Sequence, residues 1–279
     1  MSQFIKYLKI AFSVVVWAAI FAYLVWAGKT CTRAVRDRRV REVVVVVRDS
    51  ARARIITPDM VRLWMQTAGI DLRNASVTEV NTAGIRDLVL GHLFVDDARV
   101  YTDLDGRVTI SLTQRRPVAR VDLDNGYEFY ITADGYILPL QSHEVIYVPV
   151  VTGSFSLPFE RGFVGRLTDP GKSEKNLRDY YLFTLKLINF VNVIEASDFW
   201  RSEVVQIVVD GSPQQAGKEP KVEIVPRSGN LIVALGTLDD VAAKLDRLSA
   251  FYTGGLRYEG WDSYRRISVE YNGQVVATK

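Results

Sequence analysis

The chain has 279 residues, 48% hydrophobic and 24% charged, enough for two domains of about 75 and 150 residues, each able to bury a core. Eight of the 35 Lys and Arg precede Val43, against two of the 32 acids, so residues 43–279 hold 27 basic and 30 acidic groups beneath a whole-chain charge of +3. A mildly acidic globular part argues against a nucleic-acid partner, and a single cysteine, Cys31, excludes an intrachain disulfide or a four-thiolate metal site.

Residues 10–27 (IAFSVVVWAAIFAYLVWA) carry no charge and predict a single transmembrane helix over 10–28, behind a short cytoplasmic tail of residues 1–9. Eighteen residues at helical rise make roughly 27 Å, close to the hydrocarbon thickness of a bilayer. Trp17, Tyr23 and Trp26 add rings, the last two near the exit, where amphipathic aromatics favour the headgroup layer. A cleaved signal peptide and a buried core helix are the other readings, although a signal h-region is shorter, at about 7–15 residues. Charge opposes export of the downstream chain. Only Lys6 and Lys9 flank the start, whereas Lys29, Arg33, Arg36, Arg38, Arg39 and Arg41 come after the exit, so a bare positive-inside count keeps the large part cytoplasmic. Residues 29–42 read as a basic juxtamembrane linker, either solvated or beside anionic headgroups.

Residues 43–115 pattern as a βααββ unit. The β-branched run after Glu42 predicts a strand buried on one face or both. Thr57-Pro58-Asp59 starts a helix whose Met60, Val61, Trp64 and Met65 recur at helical spacing until Gly69. Ser76-Val77-Thr78-Glu79 reads as a capping box opening a second helix, with Val77, Val80, Ile85, Leu88 and Val89 inward. His92, at that helix's end, is positioned for the terminal carbonyls. Strands over 98–102 and 107–113 flank Asp103-Leu104-Asp105-Gly106, whose carboxylates suit a turn better than a calcium site.

Gln114-Arg115-Arg116-Pro117-Val118-Ala119-Arg120-Val121 comes immediately after. A βααββ unit behind one span, closed by an Arg-Pro-Val-Ala joint, resembles the FtsQ/DivIB family of bacterial cell-division proteins, whose membrane-proximal module is a POTRA domain. Arg116, Pro117 and Val118 are expected to form the domain joint, because proline cannot donate to a ladder and holds the preceding residue extended.

Residues 116–279 then form the family's β-rich domain. Strands over 118–123, 128–132 and 136–140 alternate with the hairpin turns Asn125-Gly126 and Asp134-Gly135, a meander. The run from Tyr130 to Pro139, followed by Val148-Pro149-Val150-Val151-Thr152-Gly153, is similar to the family pattern, with Val148 where leucine is commoner. Ser173 predicts a helix over 174–194 with Leu177, Tyr180, Tyr181, Leu185, Ile188 and Val191 as its apolar stripe. Strands are expected over 200–210, 221–225 and 231–235, with a polar loop over 211–220. Thr237 is expected to cap a helix with Lys244 and Arg247 outward, an order also similar to the family. The fold class is thus α+β: a transmembrane helix, a POTRA-like unit, and a mostly antiparallel sheet with packing helices.

The end of the chain alternates over 267–271 and 274–277 about Asn272-Gly273. A terminal strand tends to be an edge whose unpaired backbone groups another chain can join; an ordinary final hairpin closing the domain's own sheet is the other reading. The resemblance implies that an FtsB-type strand is added here, with an FtsL-type protein as further partner. Ser268, Val269, Glu270, Tyr271, Asn272, Gly273, Gln274, Val275 and Val276 are the candidate contact residues, and Tyr271 and Gly273 fall where the family's contact tyrosine and a following glycine lie.

No nucleophile with a base, paired-carboxylate site or phosphate loop stands out, and His92 and His143 lie in different domains. The expectation is a non-enzymatic scaffold without cofactors. By the resemblance it sits in the inner membrane at the division site, amino terminus cytoplasmic and both domains extracytoplasmic. A POTRA-bearing secretion or outer-membrane assembly accessory factor is the alternative.

Overall fold

The computed structural model describes residues 12, 14–27, 38–50, 54–73, 75–103, 105–140, 146–171, 175–211 and 218–279. Residues 14–27 are helical (α1), and their large apolar side chains, from Val14 to Trp26, are exposed. Residues 10, 11, 13 and 28 of the expected span lie outside the described residues, among which no helix is long and apolar enough to cross a membrane. The chain divides into two compact units, Met1–Gln114 and Arg115–Lys279.

The first unit holds β1 (Glu42–Val47), α2 (Pro58–Thr67), α3 (Thr82–Leu90), β2 (Val95–Thr102) and β3 (Arg107–Gln114). The sheet order is β1-β3-β2, with β1 parallel and β2 antiparallel to the central strand. Register sets Val43, Val45 and Val47 beside Val108, Ile110 and Leu112, and the last three are fully buried. β1 departs from the expectation of a buried strand. It is an edge, so none of its valines has neighbours on both sides, and all remain half-buried or exposed.

Thr57 caps α2 as its spacing predicts, its hydroxyl accepting from the Met60 N–H at 3.4 Å with Pro58 opening the first turn. The second helix starts later than the capping box suggests. Residues Val77–Glu79 make a single 3-10 turn, Val80 is extended, and Asn81 caps α3 by accepting from the Gly84 N–H at 2.9 Å. Ser76 instead bridges to Arg39, and Val40 donates to the Ala75 carbonyl, so the segment entering β1 takes the backbone groups a helix there would need. His92 also differs from expectation. Its ring stacks on Trp64, centroids 3.5 Å apart and planes at 14°, rather than on terminal carbonyls.

The second unit is one mixed sheet with helices. Its strands are β4 (Pro117–Leu123), β5 (Glu128–Thr132), β6 (Tyr136–Leu138), β7 (Val150–Ser154), β8 (Gly165–Arg166), β9 (Val204–Asp210), β10 (Lys221–Pro226), β11 (Ile232–Gly236), β12 (Arg266–Ser268) and β13 (Val276–Thr278). The order is β13-β12-β11-β10-β9-β7-β4-β5-β6-β8. Six of the nine neighbouring pairs are antiparallel, and β4-β7, β7-β9 and β11-β12 are parallel. The helices are α4 (Lys175–Ala196), α5 (Asp198–Glu203), α6 (Val241–Phe251) and the short α7 (Arg257–Glu259).

Four local expectations are corrected. In α4 the core face holds Ile188 and Val191 of the expected stripe together with Phe183, Leu187, Phe190 and Ile194, while Leu185 is 38% exposed. The helix is apolar on more than one face, and the sheet selects the one it covers. Trp200 lies in α5 rather than a strand, because Ser197 caps that helix by accepting from the Trp200 N–H at 3.3 Å. α6 begins at Val241 after Asp240, whose φ of 51° is left-handed, and Thr237 does not cap it. Lys244 turns inward, 4% exposed, donating from Nζ to the Thr237 carbonyl at 2.7 Å, and burial pushes its pKa down.

Burial also holds the His92 pKa below 6.5, so the folded state favours neutral imidazole. An unfolded chain then binds more protons as pH falls below that value, and stability is lost in that direction. Chemical denaturation followed by Trp64 fluorescence should show the first unit weakening from pH 7.5 to pH 5. A His92→Phe variant, which keeps the stack, should lose that dependence.

Candidate partner-binding edge

The terminal residues meet at one end of the ten-stranded sheet. β12 pairs in parallel with β11, Ile232 opposite Arg266 and Ala234 opposite Ser268, and Val269 N–H extends the ladder to the Ala234 carbonyl at 3.0 Å. The Asn272-Gly273 turn, with Gly273 at φ 76°, reverses the chain, and β13 returns antiparallel, Ser268 opposite Val276 and Ile267 opposite Ala277. β13 is therefore the sheet's terminal strand, its outer side unpaired among the described residues.

The candidate residues divide by environment. Ile267 and Val269 are fully buried, and Val275 and Ala277 pack against the same core. Tyr271 is 58% exposed and Val276 47% exposed, so these two present the apolar surface of the edge. Ser268 and Glu270 belong to the framework: Glu270 Oε1 accepts from Lys221 Nζ at 2.8 Å, which raises the lysine's pKa. Gly236, at φ 70°, permits this arrangement, since a Cβ there would stand 2.6 Å from Glu270 Cγ. Arg266 pairs with Glu223 of β10.

Arg247, expected to face outward, reaches across from α6 to donate to the Val269 carbonyl at 3.1 Å. It is a brace that sequence spacing does not reveal, because its acceptor is 22 residues away on a strand whose position only the fold fixes.

At the other candidate site, Pro117 is buried as the first residue of β4, opposite Thr132, with a register shift before Ala119. A strand's first position tolerates the missing N–H. Gln114 and Arg115 anchor to different units. The Gln114 side chain accepts from the Ile56 N–H at 2.6 Å, whereas the Arg115 guanidinium lies 3.8 Å above the Tyr136 ring and Arg116 bonds Glu195 at 3.2 Å. Among the described residues no group of three or more His, Cys, Asp or Glu is placed to hold a metal ion.

Residues 116–278 match the family described as FtsQ/DivIB, C-terminal related, and residues 38–113 match the POTRA-like domain. No curated protein matches the chain.

The division between framework and surface is testable by stability. Val269→Ala should cost roughly 2–3 kcal/mol in urea denaturation of the second unit. Tyr271→Ala should stay within about 0.5 kcal/mol of the parent, as exposed substitutions do.

Proposed function

The chain belongs to the FtsQ/DivIB family, and from that premise we propose that it joins FtsB-type and FtsL-type proteins to septal cell-wall synthesis through its extracytoplasmic domains. Membership carries a cell-division scaffold role, without enzymatic activity, at the membrane of the division site. In the finer reading, residues 10–28 anchor the chain once in the inner membrane, with the amino terminus cytoplasmic. The match over residues 116–278 favours this over a secretion or outer-membrane assembly role.

The observation that carries the binding mode is the terminal position of β13, with Tyr271 and Val276 exposed beside it. An extended partner segment adding to β13 would gain main-chain hydrogen bonds from the backbone and affinity from these two side chains. Arg116, Pro117 and Val118 act as the joint between the units, directly after the Gln114–Arg115 peptide at which the chain changes its anchoring partners. A truncation from Ser268 is a poor test of this edge, because it removes fully buried Val269 as well.

The better test keeps the fold. Full-length chain is purified from its own cells and the co-purified FtsB-type protein quantified, for the parent, Tyr271→Ala, Val276→Lys and Tyr147→Ala. Lysine at the exposed position 276 replaces an apolar side chain with a charge that disfavours strand addition while leaving the backbone ladder intact, and Tyr147, 95% exposed, serves as a control outside the candidate edge. Recovery should fall roughly tenfold or more for Tyr271→Ala and Val276→Lys, the scale of a lost hot-spot contact, and hold for Tyr147→Ala. Undiminished recovery with both edge variants would falsify the strand-addition reading.

A further inference from the structure

Four strands end the two sheets; β13 is the candidate edge already described, and two of the other three are protected against unwanted pairing. β8 has two residues. β2 carries Asp96, Asp97 and Arg99, with a register shift between Val95 and Asp97. Short length, charge and bulges are the usual devices that blunt an edge. Apart from Glu42 at its first position, β1 has none of them. It is six residues long, five of them consecutive valines, and it pairs only with β3 among the described residues. Val46 is 41% exposed, and no valine in the strand is buried.

We propose that β1 is a self-association surface: it pairs antiparallel with β1 of a second copy about a two-fold axis through Val45, joining two three-stranded sheets into one. This goes beyond the scaffold reading and concerns a different unit of the chain. A closed two-fold contact of this kind leaves no β1 edge open.

Charge selects both the occupant and the register. Residues 41–49 read Arg-Glu-Val-Val-Val-Val-Val-Arg-Asp. Antiparallel pairing centred on Val45 sets Glu42 of each copy opposite Arg48 of the other, and Arg41 opposite Asp49. Parallel pairing in register would instead set like charges opposite each other, which is unfavourable. A one-residue slip would lose the charge match and turn facing side chains out of step.

The groups already present extend this match. Glu42 Oε2 lies 3.2 Å from Arg107 Nε, and Arg48 Nη2 lies 2.8 Å from Asp97 Oδ2, both within the unit's own sheet. Across the new contact each end becomes a row of four alternating charges: Arg107 and Glu42 of one copy, then Arg48 and Asp97 of the second. Asp49 contributes less, since both its oxygens accept from the Gln114 N–H at 3.2 Å. Between the rows, Val44 meets Val46 on the face that carries Thr109 and Ser111, and Val43 meets Val47 on the face of Ile110 and Leu112. Confinement to a bilayer raises the effective concentration of two copies, so a contact of six residues per chain suffices.

The test uses purified full-length chain, labelled in separate donor and acceptor populations and reconstituted in phosphatidylethanolamine–phosphatidylglycerol vesicles, with fluorescence transfer as the readout. Parent chains should show transfer. Glu42→Arg in both populations, or Arg48→Glu in both, should weaken association roughly tenfold or more, because each places like charges opposite at both ends. Mixing Glu42→Arg donors with Arg48→Glu acceptors should restore transfer, since every cross-strand pair then joins opposite charges again. Restoration separates the contact from any folding defect in the single variants. The proposal is overturned if parent chains show no transfer, as when β1 serves another protein. Transfer indifferent to the single substitutions, as from contact through α1, or a mixed pair that stays apart, overturns it equally.

Discussion

The second unit depends on one close approach between backbones. β7 lies between β4 and β9, parallel to both, and it alone joins the meander of β4, β5 and β6 to the strands that lead to the chain's end. At Gly153, opposite Val209, a Cβ would stand 2.1 Å from the Val209 carbonyl, and φ is 113°. Only glycine tolerates both conditions. At the far end of the same pair Gly211 donates to the Ser154 carbonyl at 2.8 Å, and a Cβ there would lie 2.4 Å from that oxygen. Two parts of the sheet become one through this seam, so the position of the terminal edge is set a long way from the edge itself.

The interior is not purely apolar, and apart from Thr184 the polar groups named here each serve a junction. Thr184 bonds the Tyr180 carbonyl within α4 at 2.8 Å. Glu203 accepts from both the backbone and the hydroxyl of Ser228, fixing the turn after β10 to the end of α5. Lys186 of α4 reaches Glu219 and Asp239, each at 2.7 Å; burial opposes its charge, but these bonds outweigh that and raise its pKa. Buried or half-buried polar groups that are satisfied in this way specify which loop meets which helix. Arg247 and Lys244 do the same for α6, one holding the Val269 carbonyl and the other the Thr237 carbonyl.

Sheet edges link the architecture to its use. A strand with one neighbour leaves half its backbone groups for solvent or for another chain. In this protein one edge of each unit bears apolar side chains in the open: β13 with Val276 and nearby Tyr271, and β1 with Val46. The remaining two edges are short or charged. In the reading proposed above, a scaffold holds other chains, and such edges would supply that capacity without any catalytic group.

Much of this was legible in the chain itself. The βααββ order, the Thr57-Pro58 start of α2, the hairpins at Asn125-Gly126 and Asp134-Gly135, and the reversal at Asn272-Gly273 stem from local chemistry, because caps and left-handed turns need only their own residues. The Arg-Pro-Val-Ala joint and the order of features after it were enough to point to the family. The failures share a cause. Ser76-Val77-Thr78-Glu79 satisfies a capping box, yet the segment at 38–40 claims its backbone. The face of α4, the inward turn of Lys244 and the reach of Arg247 were decided by which side the sheet covers. So was β1, whose five valines read as interior but stand at an edge. Sequence determined the elements and their punctuation, which are short-range properties; burial and partnership were left to the tertiary structure, because they depend on neighbours brought from far along the chain.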